Sequence, residues 1–185
     1  FCKDTEHANP LVRALALRTM GCIEVAQVLD YLVEPLARCL EDEHPYVRRT
    51  AVLGVAKVWD LHRELAAEQG FPAMVETMLA DSNPSVLANV VSCLGEMGAL
   101  DMDAALALRL LGALGEANEW GQMTLLEAVT RGLAVGANKQ LTALEVEATA
   151  ERTLPRLQHG SPGVLLAEVN LLLLLLECRE CGEEV

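Results

Sequence analysis

The sequence predicts an all-α solenoid, a stack of helical pairs, and three observations carry that reading. A polar-Pro-x-Val pattern recurs four times: Asn9-Pro10-Leu11-Val12, His44-Pro45-Tyr46-Val47, Asn83-Pro84-Ser85-Val86 and Ser161-Pro162-Gly163-Val164. Its prolines fall 35, then 39, then 78 residues apart, and the last gap is two periods long. Between them apolar residues recur at i, i+3 and i+4, one face of a helix, and nowhere in sustained period-two alternation. A period of 35–39 residues is the size of a helical hairpin that buries its apolar face only by stacking on a neighbour.

Each element follows from these rules. Leu29, Leu32, Val33, Leu36, Ala37 and Leu40 mark one apolar helix face. The acidic Glu41-Asp42-Glu43 reads as a solvated turn. Pro45 then opens the next helix, where its missing N–H costs nothing. That helix carries Val47, Ala51, Val52, Val55, Ala56 and Trp59. Phe71, Met74, Val75, Met78 and Leu79 begin the next repeat, with Asp81-Ser82-Asn83 as turn and cap. Val86, Val90, Val91, Leu94 and Met97 complete it. A degenerate repeat is expected near 121–123, where Glu119-Trp120-Gly121-Gln122-Met123 lacks the proline. Later helices are expected over 103–115, 122–133, 140–158 and 163–178.

The whole of 1–185 is therefore expected to be a single α-solenoid segment of about five HEAT/armadillo-like repeats. It reads as starting on the second helix of one repeat and stopping after the second helix of another, with 130–139 as a loosened connection. Neither end looks like a polar cap, so a slice of a longer array is expected. Such open ends expose apolar faces and predict self-association or fraying.

Composition narrows the function. The 185 residues carry 14 basic against 27 acidic side chains, a net charge of −13. A nucleic-acid binder needs a basic face to release counterions, so no nucleic-acid partner is expected. The charge also argues against this segment alone gripping anionic lipid. No signal peptide is visible at Phe1. The apolar run Val164 to Leu176 spans 13 residues and includes Glu168 and Asn170, which suits a buried helix rather than a membrane span. Cys22, Cys39 and Cys93 sit in apolar helical patterns as small hydrophobes, which fits a reducing, cytosolic setting.

The sequence carries no recognisable catalytic or ligand-binding constellation. Cys178-Arg179-Glu180-Cys181 is a lone C-x-x-C at a helix end, without the second pair a zinc site needs. His7, His44, His62 and His159 are turn or helix-edge residues and form no H-x-x-x-H pair. Asp101-Met102-Asp103 reads as an acidic helix start. Gly112 and Gly115 follow no strand, so they are no phosphate loop. No catalytic, cofactor-binding or metal-ligating residue is assigned, no cofactor is expected, and the expectation is a non-enzyme.

Arg13 and Arg48 hold equivalent places, three residues past their prolines. They are expected to bridge repeats by pairing with turn carboxylates such as Asp42 or Asp81, as exposed pairs contributing about 0–1 kcal/mol. Leu87 and Leu165 at the equivalent places interrupt that ladder.

The residues themselves resemble a known family. Cys2-Lys3-Asp4 and Asn9-Pro10-Leu11-Val12-Arg13-Ala14-Leu15-Ala16-Leu17-Arg18-Thr19-Met20-Gly21 closely resemble the trunk of the β-adaptins, the large β subunits of clathrin-type adaptor complexes. The resemblance continues through Tyr31-Leu32-Val33-Glu34-Pro35-Leu36, Pro45-Tyr46-Val47-Arg48-Arg49-Thr50-Ala51, Asp81-Ser82-Asn83-Pro84 and Glu119-Trp120-Gly121-Gln122. It fades at about 98–118 and 130–150.

The resemblance implies a scaffold subunit of a vesicle-coat adaptor complex in intracellular protein transport. Its implied partners are a medium, a small and a second large adaptor subunit, and some members of the family engage an Arf-type GTPase. Clathrin would be engaged through regions outside this segment. Membrane association would be peripheral, on the cytosolic face of Golgi, endosomal or plasma-membrane coated vesicles. The family's phosphoinositide-binding basic cluster has no match here. The alternative is another helical-repeat scaffold, a coatomer-like subunit or a nuclear transport receptor whose acidic groove steers basic cargo.

Overall fold

The computed structural model describes residues 1–23, 26–135 and 142–183. Among these every regular element is a helix. The order is α1 (Pro10–Gly21), α2 (Ala26–Leu40), α3 (Pro45–Leu61), α4 (Arg63–Glu68), α5 (Phe71–Thr77), α6 (Pro84–Met97), α7 (Ala104–Ala113), α8 (Glu119–Val135), α9 (Ala143–Thr153) and α10 (Pro162–Glu183). A short 3-10 turn at Cys2–Glu6 precedes α1, and others at Met78–Ala80 and Leu154–Gln158 lie between α5 and α6 and between α9 and α10. The chain divides into two compact units, Phe1–Ala99 and Leu100–Val185.

In the first unit α1, α3 and α6 pack side by side as one layer. α2 and α5 form the other, α2 against α1 and α3, and α5 against α6. The expected apolar faces fill the space between. Leu32, Leu36, Val47, Val52, Val55, Phe71, Val75, Val86, Val90 and Leu94 are all buried. The Leu29 side chain lies outside the described residues. Gly54 on α3 allows this closeness, because a Cβ there would sit 2.6 Å from Leu36 Cδ2. Pro35 interrupts the hydrogen-bond ladder inside α2. Gly70 opens α5 and Gly98 closes α6, each at a positive φ (72° and 69°) that glycine adopts without a side-chain clash.

In the second unit α8 lies beside α10, with α7 packed on α8 and on α9, and α9 on α10. Leu110, Leu114, Leu125, Leu126, Val129, Val164 and Leu171 make its core. Glu168, read as a polar break in the leucine run, is fully buried.

Several expectations shift. The degenerate repeat begins at Glu119 rather than 121–123, 35 residues past Pro84 and 43 before Pro162. Without a proline to mark it, an averaged period misplaces the turn. Of the helix expected over 140–158, residues 140 and 141 lie outside the described residues, Ala143–Thr153 is α helix, and Leu154–Gln158 tightens to 3-10 around Pro155. α4 was not foreseen, because six residues carry too little periodicity to register. Cys22 is exposed just past α1, while Cys39 and Cys93 are buried. α8 ends at Val135, and residues 136–139 of the expected connection lie outside the described residues.

Candidate functional site

The turns that lead into α1, α3 and α6 are built alike. His7 Nδ1, Asp42 Oδ1 and Asp81 Oδ1 each accept the backbone N–H two residues on, from Asn9 (3.0 Å), His44 (2.8 Å) and Asn83 (2.8 Å). That next residue then caps its helix. Asn9 Oδ1 accepts the Leu11 N–H at 2.9 Å, His44 Nδ1 that of Tyr46 at 3.2 Å, and Asn83 Oδ1 that of Ser85 at 3.0 Å. Proline follows at the first helical position, and each cap contributes about 1 kcal/mol.

Three residues past its proline, each arginine clamps two turns. Arg13 Nη1 donates to the carbonyls of His7 (2.9 Å) and Ala8 (3.1 Å) in its own turn. Its Nε and Nη2 donate to Asp42 in the next turn, at 2.8 and 2.7 Å. Arg48 repeats the arrangement, with Nη1 on the carbonyls of Asp42 (2.8 Å) and Glu43 (3.1 Å). Its Nε and Nη2 reach Asp81 at 2.6 and 3.0 Å.

These rungs are not the exposed pairs the sequence suggested. The side chains of Arg13 and Asp42 are 10% and 11% exposed, and those of Arg48 and Asp81 18% and 7%. Asp42 is therefore no solvated turn residue, although Glu43 beside it is. The side-chain hydrogen bond that each aspartate accepts raises the arginine above its ordinary value, against burial. Burial pushes both aspartates up, but the arginine hydrogen bond, a backbone N–H and the arginine charge outweigh it and hold them below the usual carboxylate range. Removing one partner from such a part-buried, bidentate pair is expected to cost about 1.5–3 kcal/mol, above the exposed-pair figure.

The ladder stops at Leu87, which is 3% exposed and packs instead. In the second unit the same construction returns in other residues. Asn118 Oδ1 accepts the Gly121 N–H at 2.8 Å and caps α8. Gln122, three residues past Glu119, donates Nε2 to the Ala117 carbonyl at 2.9 Å, the own-turn contact of the arginines. His159 Nδ1 accepts the Ser161 N–H at 3.1 Å, the place of Asp42 and Asp81. The sequence signal for Gln122 was its spacing from the α8 start, hidden by the missing proline.

None of this assembles reaction chemistry. His7, Asp42, His44, Asp81 and His159 are engaged in holding backbone, and Asp103 caps α7 through the Leu106 N–H at 2.7 Å. Among the described residues no group of three or more His, Cys, Asp or Glu is placed to hold a metal. The side chains of Cys178 and Cys181 lie outside the described residues. The arrangement presents helix faces at fixed spacing.

The family model described as Cnd1, non-SMC mitotic condensation complex subunit 1, matches residues 11–174. Individual relatives are adaptor subunits. The chain is 41% identical to the mouse AP-1 complex subunit beta-1 over 96% of its length, covering 19% of that protein. It is 40% identical to the Dictyostelium discoideum AP-1 complex subunit beta, over 94% of this chain and 18% of that one. It is 36% identical to the Saccharomyces cerevisiae AP-1 complex subunit beta-1, over 93% and 24%. The chain belongs to the Cnd1 family of that model and to the β-adaptins. The two assignments rest on different things. The family model spans the array of helical pairs, whereas residue-by-residue identity over more than nine-tenths of the chain is to β-adaptins. The chain spans about a fifth of the length of the β-adaptins it matches.

The fold has solved counterparts as well. A designed armadillo repeat protein aligns with 94% of this chain and 80% of its own at a TM-score of 0.55 and 18% identity. An engineered protein aligns with 94% and 96% at a TM-score of 0.52 and 15% identity. At that identity the likeness speaks for the all-α solenoid of helical repeats alone, which the β-adaptin chain shares.

Proposed function

We propose that the chain is a non-enzymatic α-solenoid segment, continuous over 1–185, of a scaffold subunit in a vesicle-coat adaptor complex serving intracellular protein transport. The observation that carries this is identity of 41% to an AP-1 complex beta subunit over 96% of the chain. The geometry supports it, since the polar groups of the turns are consumed in fixing repeats and the outer helix faces are left to meet partners. The partners are a medium, a small and a second large adaptor subunit, joined through large interfaces, with an Arf-type GTPase on the assembled trunk. Clathrin is engaged through regions outside this segment. Among the described residues no helix is long and apolar enough to cross a membrane, which suits peripheral association at the cytosolic face of coated vesicles.

The test is affinity purification of the full-length protein followed by mass spectrometry. Recovery of a second large, a medium and a small adaptor subunit in stoichiometric amounts is expected. Recovery of condensation-complex subunits instead would favour the reading suggested by the family model's description. Recovery of basic nuclear cargo would favour the transport receptor.

A further inference from the structure

In the first unit the outward rows of α1, α3 and α6 differ in chemistry. These helices lie side by side with their prolines equivalent, so Leu11, Tyr46 and Ser85 take matching places. The next row is Leu15, Thr50 and Asn89, and the row after it Arg18, Leu53 and Ser92. Apart from Arg18 and Thr50, the rows on α1 and α3 are apolar and open. Leu11 is 60% exposed, Leu15 62%, Tyr46 37% and Leu53 54%. On α6 they are polar, and Asn89 donates its amide to the Arg49 carbonyl at 3.3 Å. The apolar patch therefore ends at the seam between α3 and α6.

The charges set among these side chains are cationic. Arg18 is exposed on the α1 row. The Arg49 guanidinium lies 5.1 Å over the Tyr46 ring, a contact that holds it at the edge of the patch. The chain as a whole carries −13, so this face inverts the sign of the molecule. An acidic ligand is repelled by the remaining surface and drawn here, whereas a basic one has more attractive sites elsewhere.

Size narrows the ligand further. Leu11 to Arg18 is a rise of about 10 Å along α1, and neighbouring helices lie about 8–10 Å apart. That is the footprint of two or three helical turns laid along the groove between two helices. We propose that the α1–α3 face docks an amphipathic helical segment of a partner protein, with large apolar residues at i, i+3 and i+4 flanked by Asp or Glu. The apolar residues pack on Leu11, Leu15, Leu53 and the Tyr46 ring, and the carboxylates meet the guanidinium forks of Arg18 and Arg49. The inference rests on the scaffold reading and names the chemistry of one partner surface.

The probe is a fluorescein-labelled helical peptide of about four turns, Leu at i, i+3 and i+4 and Glu elsewhere, with a Lys-for-Glu counterpart. Anisotropy is read against the full-length protein. Binding of the acidic peptide only is expected, weakened about tenfold or more by Leu15→Ser with Leu53→Ser. Arg18→Glu with Arg49→Glu is expected to reverse the preference toward the basic peptide. All four positions are exposed or half-exposed, and unchanged circular dichroism confirms that the variants fold. Equal binding of both peptides, no binding, or binding that survives both pairs of substitutions overturns the proposal. Dimerisation abolished by Leu15→Ser with Leu53→Ser overturns it too, by naming a second copy as occupant. If the adaptor subunits co-purify while the peptide fails, the docking inference falls alone. If they never co-purify with the unaltered protein, the scaffold reading falls whatever the peptide does.

Discussion

Arg48 grips Asp81, 33 residues downstream, through two hydrogen bonds of 2.6 and 3.0 Å while holding two carbonyls of its own turn. A lysine supplies the charge without the planar fork and cannot span both turns. Arg48→Ala is expected to cost about 1.5–3 kcal/mol and Arg48→Lys a large share of that. Urea denaturation followed by circular dichroism measures both. A loss within the error for either substitution would mean that the rung contributes only as a surface pair does.

The rungs also give stability a pH dependence of known sign. Asp42 and Asp81 are held below the ordinary carboxyl value of 3.8. Their contribution is complete above that value and is lost as pH falls through the depressed folded-state value. Asp42→Asn with Asp81→Asn should therefore be less stable than the unaltered chain at pH 7, and the gap should narrow once pH drops below 3.8. Parallel acid titrations that keep a constant gap would contradict the assignment.

Gln122 points to a rung that can be installed. It already donates to its own turn, and its buried Oε1 has no hydrogen-bond partner among the described residues. His159 stands where the other turns carry aspartate. Gln122→Arg with His159→Asp is expected to raise the melting midpoint beyond the sum of the single changes, with a coupling of about 1 kcal/mol or more in a double-mutant cycle. Additive effects would show that these two turns do not face each other as the first three do.

Gly54 sits where hydrocarbon is already in place. Gly54→Val is expected to cost about 1–3 kcal/mol through overpacking against the wholly buried Leu36. Gly54→Ala should cost less, because the helix regains about 1 kcal/mol of propensity. Leu36→Ala added to Gly54→Val should recover part of the loss in thermal melts, and no recovery would place the strain elsewhere.

Helix α10 shows an open seam. Leu166, Leu173 and Leu176 are 62%, 54% and 56% exposed. Ala14 and Leu17, which match Leu166 and Val169 in place along the helix, are each 2% exposed. The 185-residue chain is expected to self-associate with concentration in sedimentation velocity, and Leu166→Glu with Leu173→Glu to suppress it. A monomer at all concentrations would show that this stripe tolerates water.

Much of this was legible in the residues. The proline period placed Arg13 and Arg48 one turn away from Asp42 and Asp81, so the partners could be named before any distance was known. Their burial could not, because a run such as Glu41-Asp42-Glu43 looks uniformly acidic and only packing separates the sequestered Asp42 from the exposed Glu43. Gln122 was missed because the repeat it serves has Glu119 in place of proline. The exposure of Leu11, Leu15 and Leu53 could not be read from the residues, since it depends on which helix lies alongside. Glu168, a polar break in the apolar run of α10, is wholly buried, which its residue type does not announce.

The clamps have a kinetic corollary. Faces of Val, Ala and Leu slide past one another with little penalty, so a collapsing stack can settle one helical turn out of place. A guanidinium seated on two carbonyls and a carboxylate has no second position that satisfies it. Misaligned hairpins would strand buried ions at several kcal/mol each and reopen before they are locked in. Two such arginines would then favour one register during folding over pairings that the hydrocarbon alone would accept.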